Sequence, residues 1–257
     1  MTRIILIVSG KGGVGKTTLA SNLSCALAEL GEDVIAVDAN LTTPNLGLHT
    51  GMHLTPHTLH DVLRGKADLG DAVYTHPSGF RIIPASMSIN DLTGADPSKL
   101  SNVTMNLLGK ADYVIIDSAA GLGNETVSAI AATDEVIIVV NPNVPSVADA
   151  LKAAELARKL GKKVMGVVVN RRSRKSHELS SGEIEAMIEA PVIAEIPEDS
   201  AIAESVAAKQ PVVEYDMHSP AAVEIRRLAH GLAGEKFTYK RPLRLTLLEK
   251  LVGWVGR

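Results

Sequence analysis

The chain has 257 residues, 46% hydrophobic but only 3% aromatic, and a formal net charge of −3, enough for one sizeable α/β domain with an aliphatic and alanine core. Its single cysteine, Cys25, cannot form an internal disulfide, so a reduced cytoplasmic setting is expected; no stretch approaches the roughly 18 uninterrupted apolar residues of a spanning helix, and Met1 leads almost directly into an apolar run, leaving no room for a signal peptide. The charge is uneven: from Lys236 onward six basic residues against Glu249 leave a net +5, so the body is −8.

Ile4–Val8 is apolar and β-branched and predicts a buried strand. It leads into Ser9-Gly10-Lys11-Gly12-Gly13-Val14-Gly15-Lys16-Thr17-Thr18, followed by a helix-compatible stretch, Leu19–Leu30, that stops at Gly31. A glycine loop between strand and helix is the context of a phosphate loop rather than of an ordinary turn. Successive backbone N–H groups there form a concave nest, and the following helix adds the positive end of its dipole. Glycines are needed where the backbone crowds a phosphate or visits positive φ. Gly10, Gly12, Gly13, Val14, Gly15, Lys16, Thr17 and Thr18 are therefore candidate nucleotide-binding residues, with Lys16 reaching the outer phosphates and the Thr17 hydroxyl ligating Mg²⁺. A nucleoside triphosphate is the expected ligand.

Further strands are predicted at Val34–Val37, Phe80–Ile83, Tyr113–Asp117, Glu135–Val140, Val164–Val169 and Val192–Ile196. Several are near-continuous Val/Ile runs, the mark of strands buried on both faces of a parallel sheet. Ala148–Leu160 and Ala221–Leu232 are predicted helices, the second with Pro220 suited to its first turn. This alternation predicts a doubly wound, mostly parallel α/β sheet flanked by helices. Ligands of such sheets sit at the carboxyl ends of the strands. Asp38, Asp117 and Asn170 all fall at strand ends, so together with the phosphate loop they predict one site; the alternative is that they are isolated strand-terminal caps.

Lys11 narrows the reading. Gly10-Lys11-Gly12-Gly13-Val14-Gly15-Lys16-Thr17-Thr18 resembles the deviant Walker A motif of the MinD/ParA family of dimerising P-loop ATPases. The resemblance runs from Thr2 to about Gly234 and, over Asn170–Asp199, is nearest the MinD branch. It implies that Lys11 reaches the phosphates bound by a partner subunit, giving an ATP-sandwich homodimer; a solvated surface charge is the alternative that spacing leaves open. Tyr113–Asp117 then resembles a Walker B strand, with Asp117 holding Mg²⁺ through water. Asp117-Ser118-Ala119-Ala120-Gly121 resembles switch II, in which the Gly121 N–H senses the γ-phosphate, and Ala119 stands where relatives commonly carry proline.

Asp38-Ala39-Asn40-Leu41, with Asn45-Leu46 downstream, resembles switch I. Asp38 matches the carboxylate that supports Mg²⁺ or its waters. Asn40 stands where the family has the carboxylate that positions the attacking water. An amide can orient water but cannot accept its proton. Phosphoryl transfer rests mainly on positioning and charge stabilisation, so hydrolysis is expected, but slow and partner-stimulated. Asn170-Arg171 resembles the family's adenine-contacting element, and Ile196-Pro197-Glu198-Asp199 the loop that packs against the base. Both favour ATP over GTP, because no Asn-Lys-x-Asp sequence is present. The lone cysteine argues against the iron–sulfur relatives, which need paired cysteines.

Residues 1–234 thus read as an ATPase domain and 235–257 as a basic tail. Within the tail, Thr246–Val255 places Leu247, Leu248, Leu251, Val252, Trp254 and Val255 on one broad helical face flanked by Arg244, Lys250 and Arg257. That pattern predicts a helix lying in the headgroup region of a membrane, as the MinD resemblance also implies; docking on its own domain or on a partner is the alternative. The combined expectation is an ATPase whose Mg·ATP-driven homodimer binds the inner face of the cell membrane and is released by hydrolysis. It would serve an unidentified activator or cargo protein in placing division or cell-surface machinery. A ParA-like DNA partition ATPase and a nucleotide-gated scaffold that hardly hydrolyses are the alternatives. Arg171, Arg172, Arg174 and Lys175 are expected to be a solvated loop beside the nucleotide, and nucleic acid is not the expected partner. His49, His53, His57 and His60 are not expected to bind metal, since Gly51 and Pro56 interrupt any helix that would set their spacing.

Overall fold

A computed structural model of the chain describes residues 1–91 and 94–239. The amphipathic helix expected over Thr246–Val255 lies outside the described residues. The strands are β1 (Arg3–Val8), β2 (Val34–Ala39), β3 (Tyr74–Thr75), β4 (Arg81–Ile83), β5 (Tyr113–Ser118), β6 (Glu135–Val140), β7 (Lys163–Arg172) and β8 (Val192–Pro197). The helices are α1 (Lys16–Glu29), α2 (Leu46–His49), α3 (Leu59–Leu63), α4 (Leu100–Leu107), α5 (Asn124–Ala131), α6 (Val144–Lys159), α7 (Ser181–Ile188), α8 (Ser200–Ala207), α9 (Val212–Tyr215) and α10 (Pro220–Ala233).

The strands form one sheet in the order β3-β4-β2-β5-β1-β6-β7-β8. Every neighbouring pair is parallel except β3 with β4. Side chains alternate along β1: Ile4, Leu6 and Val8 join a core with α3 to α7, while Ile5 and Ile7 join a second core with α1, α9 and α10. Both faces of the central strands are covered, which is why they read as unbroken apolar runs. On one face α6 presents Ala150, Ala153, Ala154 and Ala157, all fully buried. Small side chains let this helix lie close to the sheet and to the start of the phosphate loop.

The doubly wound sheet expected from the sequence is the one found. α1 starts at Lys16, three residues before the stretch recognised as helical, because Gly15 adopts a left-handed conformation (φ 103°) at its N-cap. α6 starts at Val144, where the Asn143 side chain accepts a hydrogen bond from Ser146 N at 3.0 Å. β3 was not predicted, since two residues carry no readable period. After Gly234 the chain folds back on α10: the Phe237 ring lies 5.1 Å from His230 and 5.2 Å from the Arg227 guanidinium.

Candidate functional site

Connections at the carboxyl ends of β1, β2, β5 and β7 enclose a cleft of about 410 Å³. Its walls include Gly12, Gly13, Gly15, Lys16, Thr17 and Thr18 from the loop and α1, Asn40 and Thr43 after β2, Ser118 and Ala120 after β5, and Arg171 in β7. The loop's glycines have steric reasons. A Cβ on Gly10 would lie 2.1 Å from the Asp149 carbonyl carbon of α6, and one on Gly15 2.1 Å from Asn170 Nδ2. Real side-chain atoms do not approach that closely, so a side chain on Gly10 would push against the α6 backbone and one on Gly15 would displace the Asn170 amide.

Lys16 is only 7% exposed, yet it is the first residue of α1 and points back into the loop. Its ammonium donates to the Ser9 hydroxyl at 3.0 Å, and that hydroxyl donates to the Lys11 carbonyl at 2.7 Å. Burial holds the Lys16 pKa below its usual value, and nearby Asp117 opposes the shift. Ser9 therefore pre-positions the lysine, a role no sequence motif signals. Lys11 itself is half-buried, and its ammonium has no hydrogen bond or ion pair among the described residues.

Asp38 and Asp117 lie opposite one another in the β2–β5 register, and both are fully buried. Burial is the largest influence raising each pKa. Asp38 is raised well above the usual carboxylate range, with Asp117 adding to the rise; Asp117 is pushed up to about 6, opposed by the Thr17 hydroxyl and the Lys16 ammonium. Their hydrogen bonding differs sharply. Asp38 accepts from the backbone N–H groups of Asn40 (3.2 Å), Asn45 (3.1 Å) and Leu46 (3.0 Å). Three of roughly four lone-pair positions are thereby occupied. Neither buried oxygen of Asp117 has a hydrogen-bond partner of normal geometry. A buried, unsatisfied carboxylate is expensive unless something else completes its coordination. A hydrated divalent cation fits that description, with the Thr17 side chain, which lines the cleft, next to the carboxylate.

Asn40 lines the cleft, but its side chain is held by its own loop. Nδ2 donates to the Thr43 carbonyl at 2.5 Å, and Oδ1 accepts from Thr43 N (3.3 Å) and the Thr43 hydroxyl (3.1 Å). Gly121 has φ 77°, and a Cβ there would lie 4.0 Å from the Gly10 carbonyl oxygen, so the loop after β5 runs beside the phosphate loop.

Asn170 is buried, and its Nδ2 donates to the Val14 carbonyl at 2.7 Å. One of its two amide hydrogens therefore braces the phosphate loop. Arg171 has φ 57°, an uncommon value for a non-glycine residue, and enters the same cleft. The 197–199 segment meets this wall edgewise: Pro197 pairs with Arg172 in the β7–β8 register, and Glu198 N donates to the Arg172 carbonyl at 3.1 Å. Asp199 is occupied elsewhere, accepting from Ala201 N (3.0 Å) and Ala221 N (3.1 Å) and so capping α8 while tying down α10.

The basic residues after Asn170 separate in the fold. Arg172 is buried and paired with Glu178 (3.6 Å) and Glu195 (3.2 Å), while Arg174 and Lys175 are exposed. His60 is fully buried, its Nδ1 accepting from Ser86 N at 3.0 Å. Among the described residues no helix is long and apolar enough to cross a membrane.

The family model for the CobQ/CobB/MinD/ParA nucleotide binding domain matches residues 5–212. An uncharacterised ATP-binding protein of Methanocaldococcus jannaschii is 43% identical over 237 residues, covering 92% of this chain and 90% of that protein. The septum site-determining protein MinD of Pyrococcus horikoshii, solved in complex with Mg-ADP, superposes with a TM-score of 0.88 at 39% identity, over 90% of this chain and 96% of that one. MinD from the Aquifex aeolicus MinC:MinD cell division complex superposes at 0.82 with 31% identity, over 93% and 98%. With a phosphate loop, a Walker B strand and these likenesses in hand, the chain belongs to the CobQ/CobB/MinD/ParA family of nucleotide-binding proteins, on its MinD side.

Proposed function

We propose that this protein is an ATPase switch that forms a homodimer on binding Mg·ATP and is reset by slow hydrolysis. The observation that carries the dimer is Lys11. It stands on the phosphate loop with its ammonium unpartnered among the described residues, while the Lys16 ammonium is turned back into its own loop on Ser9. Loop N–H groups and the Lys16 ammonium bind the phosphates, and the start of α1 adds its dipole. Thr17 and Asp117 would hold Mg²⁺, which when bound neutralises charge on the phosphate oxygens. Asp38 holds switch I against that site. Asn170 and Arg171, with the Pro197-Glu198-Asp199 segment beside them, supply the adenine side.

Slow turnover follows from Asn40, whose amide is occupied by Thr43 and offers no proton acceptor. The basic tail supplies membrane contact. One short amphipathic helix binds weakly, so doubling the anchors on dimerisation converts brief contact into residence. A partner protein that stimulates turnover or is carried as cargo completes the proposal; the relative solved with MinC supports a protein partner of this kind.

Two measurements test it. Sedimentation velocity with Mg·ATP is expected to show a dimer that is absent with Mg·ADP and in Lys11→Ala; a monomer in all three conditions rejects the switch. Liposome co-sedimentation with Mg·ATP is expected to require residues 236–257. Pelleting that survives the truncation rejects the tail as anchor, and a preference for DNA over liposomes favours the partition-ATPase alternative.

A further inference from the structure

Glu125, in the first turn of α5, holds on to switch I. Its Oε2 accepts from Leu41 N at 3.0 Å and from Thr42 N at 3.4 Å, and its Oε1 accepts from the Thr42 hydroxyl. The side chain also borders the apolar floor formed by Leu41, Leu59, Leu63 and Leu100. None of the nucleotide-site roles above uses this carboxylate.

Its place in the chain gives the contact meaning. α5 begins three residues after Gly121, the switch II glycine that lies beside the Gly10 carbonyl. Thr126, the next residue after Glu125, donates to the Ala119 carbonyl at 3.3 Å, so the helix start and the switch II loop are joined as one unit. On the other side, Asp38 holds the Asn40, Asn45 and Leu46 amides, and Glu125 holds Leu41 and Thr42, two of the four residues between Asn40 and Asn45. A carboxylate is well suited to this post, because it accepts several donors at once and is favoured at a helix N-terminus.

We propose that Glu125 is a positioning residue that couples the Gly121 loop to the Asn40–Leu46 segment, so that the two loops change state together when the γ-phosphate arrives or leaves. The inference rests on reading the site as a triphosphate-sensing switch. It goes beyond that reading in naming the residue that joins the two loops.

Hydrogen exchange on the full chain tests it, comparing Mg·ADP with Mg·ATPγS in wild type, Glu125→Gln and Thr42→Val. In wild type, peptides covering residues 38–46 are expected to exchange roughly tenfold more slowly with the triphosphate than with the diphosphate, as for a typical coupled site. In each variant that ratio is expected to fall to within about twofold, while protection of residues 10–18 by either nucleotide persists. Thr42→Val leaves the α5 terminus intact and so guards against a folding defect in Glu125→Gln. Retention of the wild-type ratio in both variants overturns the coupling. Equal loss of protection at 10–18 and 38–46 also overturns it, showing a merely structural role. No difference between nucleotides in wild type rejects the switch reading itself, and the coupling with it.

Discussion

Asp38 and Asp117 stand side by side on parallel strands β2 and β5, both fully buried, yet three backbone amides surround the first and none the second. Each carboxyl is harder to ionise in the fold than in the unfolded chain, Asp117 titrating at about 6. The folded state then binds more protons than the unfolded state between the ordinary carboxylate range and pH 6 or above. By linkage this pair's contribution to stability falls as pH rises through that window.

Asp117→Asn removes one of the two opposed charges and keeps the shape. In EDTA at pH 7.5 the variant is expected to be as stable as wild type or more so, with the advantage shrinking as pH falls towards 4. Urea midpoints measured across that range check the sign, and a variant that is less stable at pH 7.5 refutes it. The same variant should lose the stabilisation that Mg·ATP gives the wild type.

Asp38→Asn should behave oppositely despite the register. Its new N–H₂ would face backbone N–H donors, and leaving the buried Leu46 amide unsatisfied costs about 1–3 kcal/mol, the part-buried Asn45 amide less. A lower urea midpoint at every pH, with faster proteolysis near residues 40–46, is the expected outcome. Unchanged stability would show that the three amides have other partners.

Asn170→Ala separates bracing from base recognition. Losing the bond to the Val14 carbonyl frees the phosphate loop, so binding of inorganic tripolyphosphate should weaken along with that of ATP, by roughly tenfold for a ~1.4 kcal/mol hydrogen bond. Calorimetric titration with both ligands checks this. If only ATP binding suffers, the side chain serves the base alone.

Gly15→Ala should be the most damaging of these changes. The residue has φ 103°, and its Cβ would fall 2.1 Å from Asn170 Nδ2. Left-handed strain of about 1–2 kcal/mol would add to displacement of the bracing amide. Loss of measurable ATP binding, with a lower melting temperature, is expected by fluorescence-monitored unfolding and titration.

Much of this architecture was legible in the residues themselves. Runs such as Val136–Val140 have no polar face, so they had to lie inside a covered parallel sheet, and β6 does. The glycine loop, Asp38, Asp117 and Asn170 were each recognisable and were placed together, because a parallel sheet brings its carboxyl ends to one edge. β3 was not legible, since two residues show no periodicity, and neither were Ser9 and Glu125, polar residues common on any loop or helix start.

Local sequence, then, determined which segments become strands and helices and which groups can bind phosphate, because those properties depend on side-chain type and near-neighbour spacing. Only the tertiary structure decided how those groups share their hydrogen bonds. Asp38 and Asp117 are both acidic residues near the end of a Val/Ile strand, yet the first caps a loop and the second is buried with no backbone amide on its oxygens. Asn170 is turned towards Val14, 156 residues away in sequence. Glu125 reaches across to Leu41 and Thr42 from another helix. Hydrogen bonds need atoms about 3 Å apart in the right direction, and for residues this distant in sequence only the folded sheet brings them there.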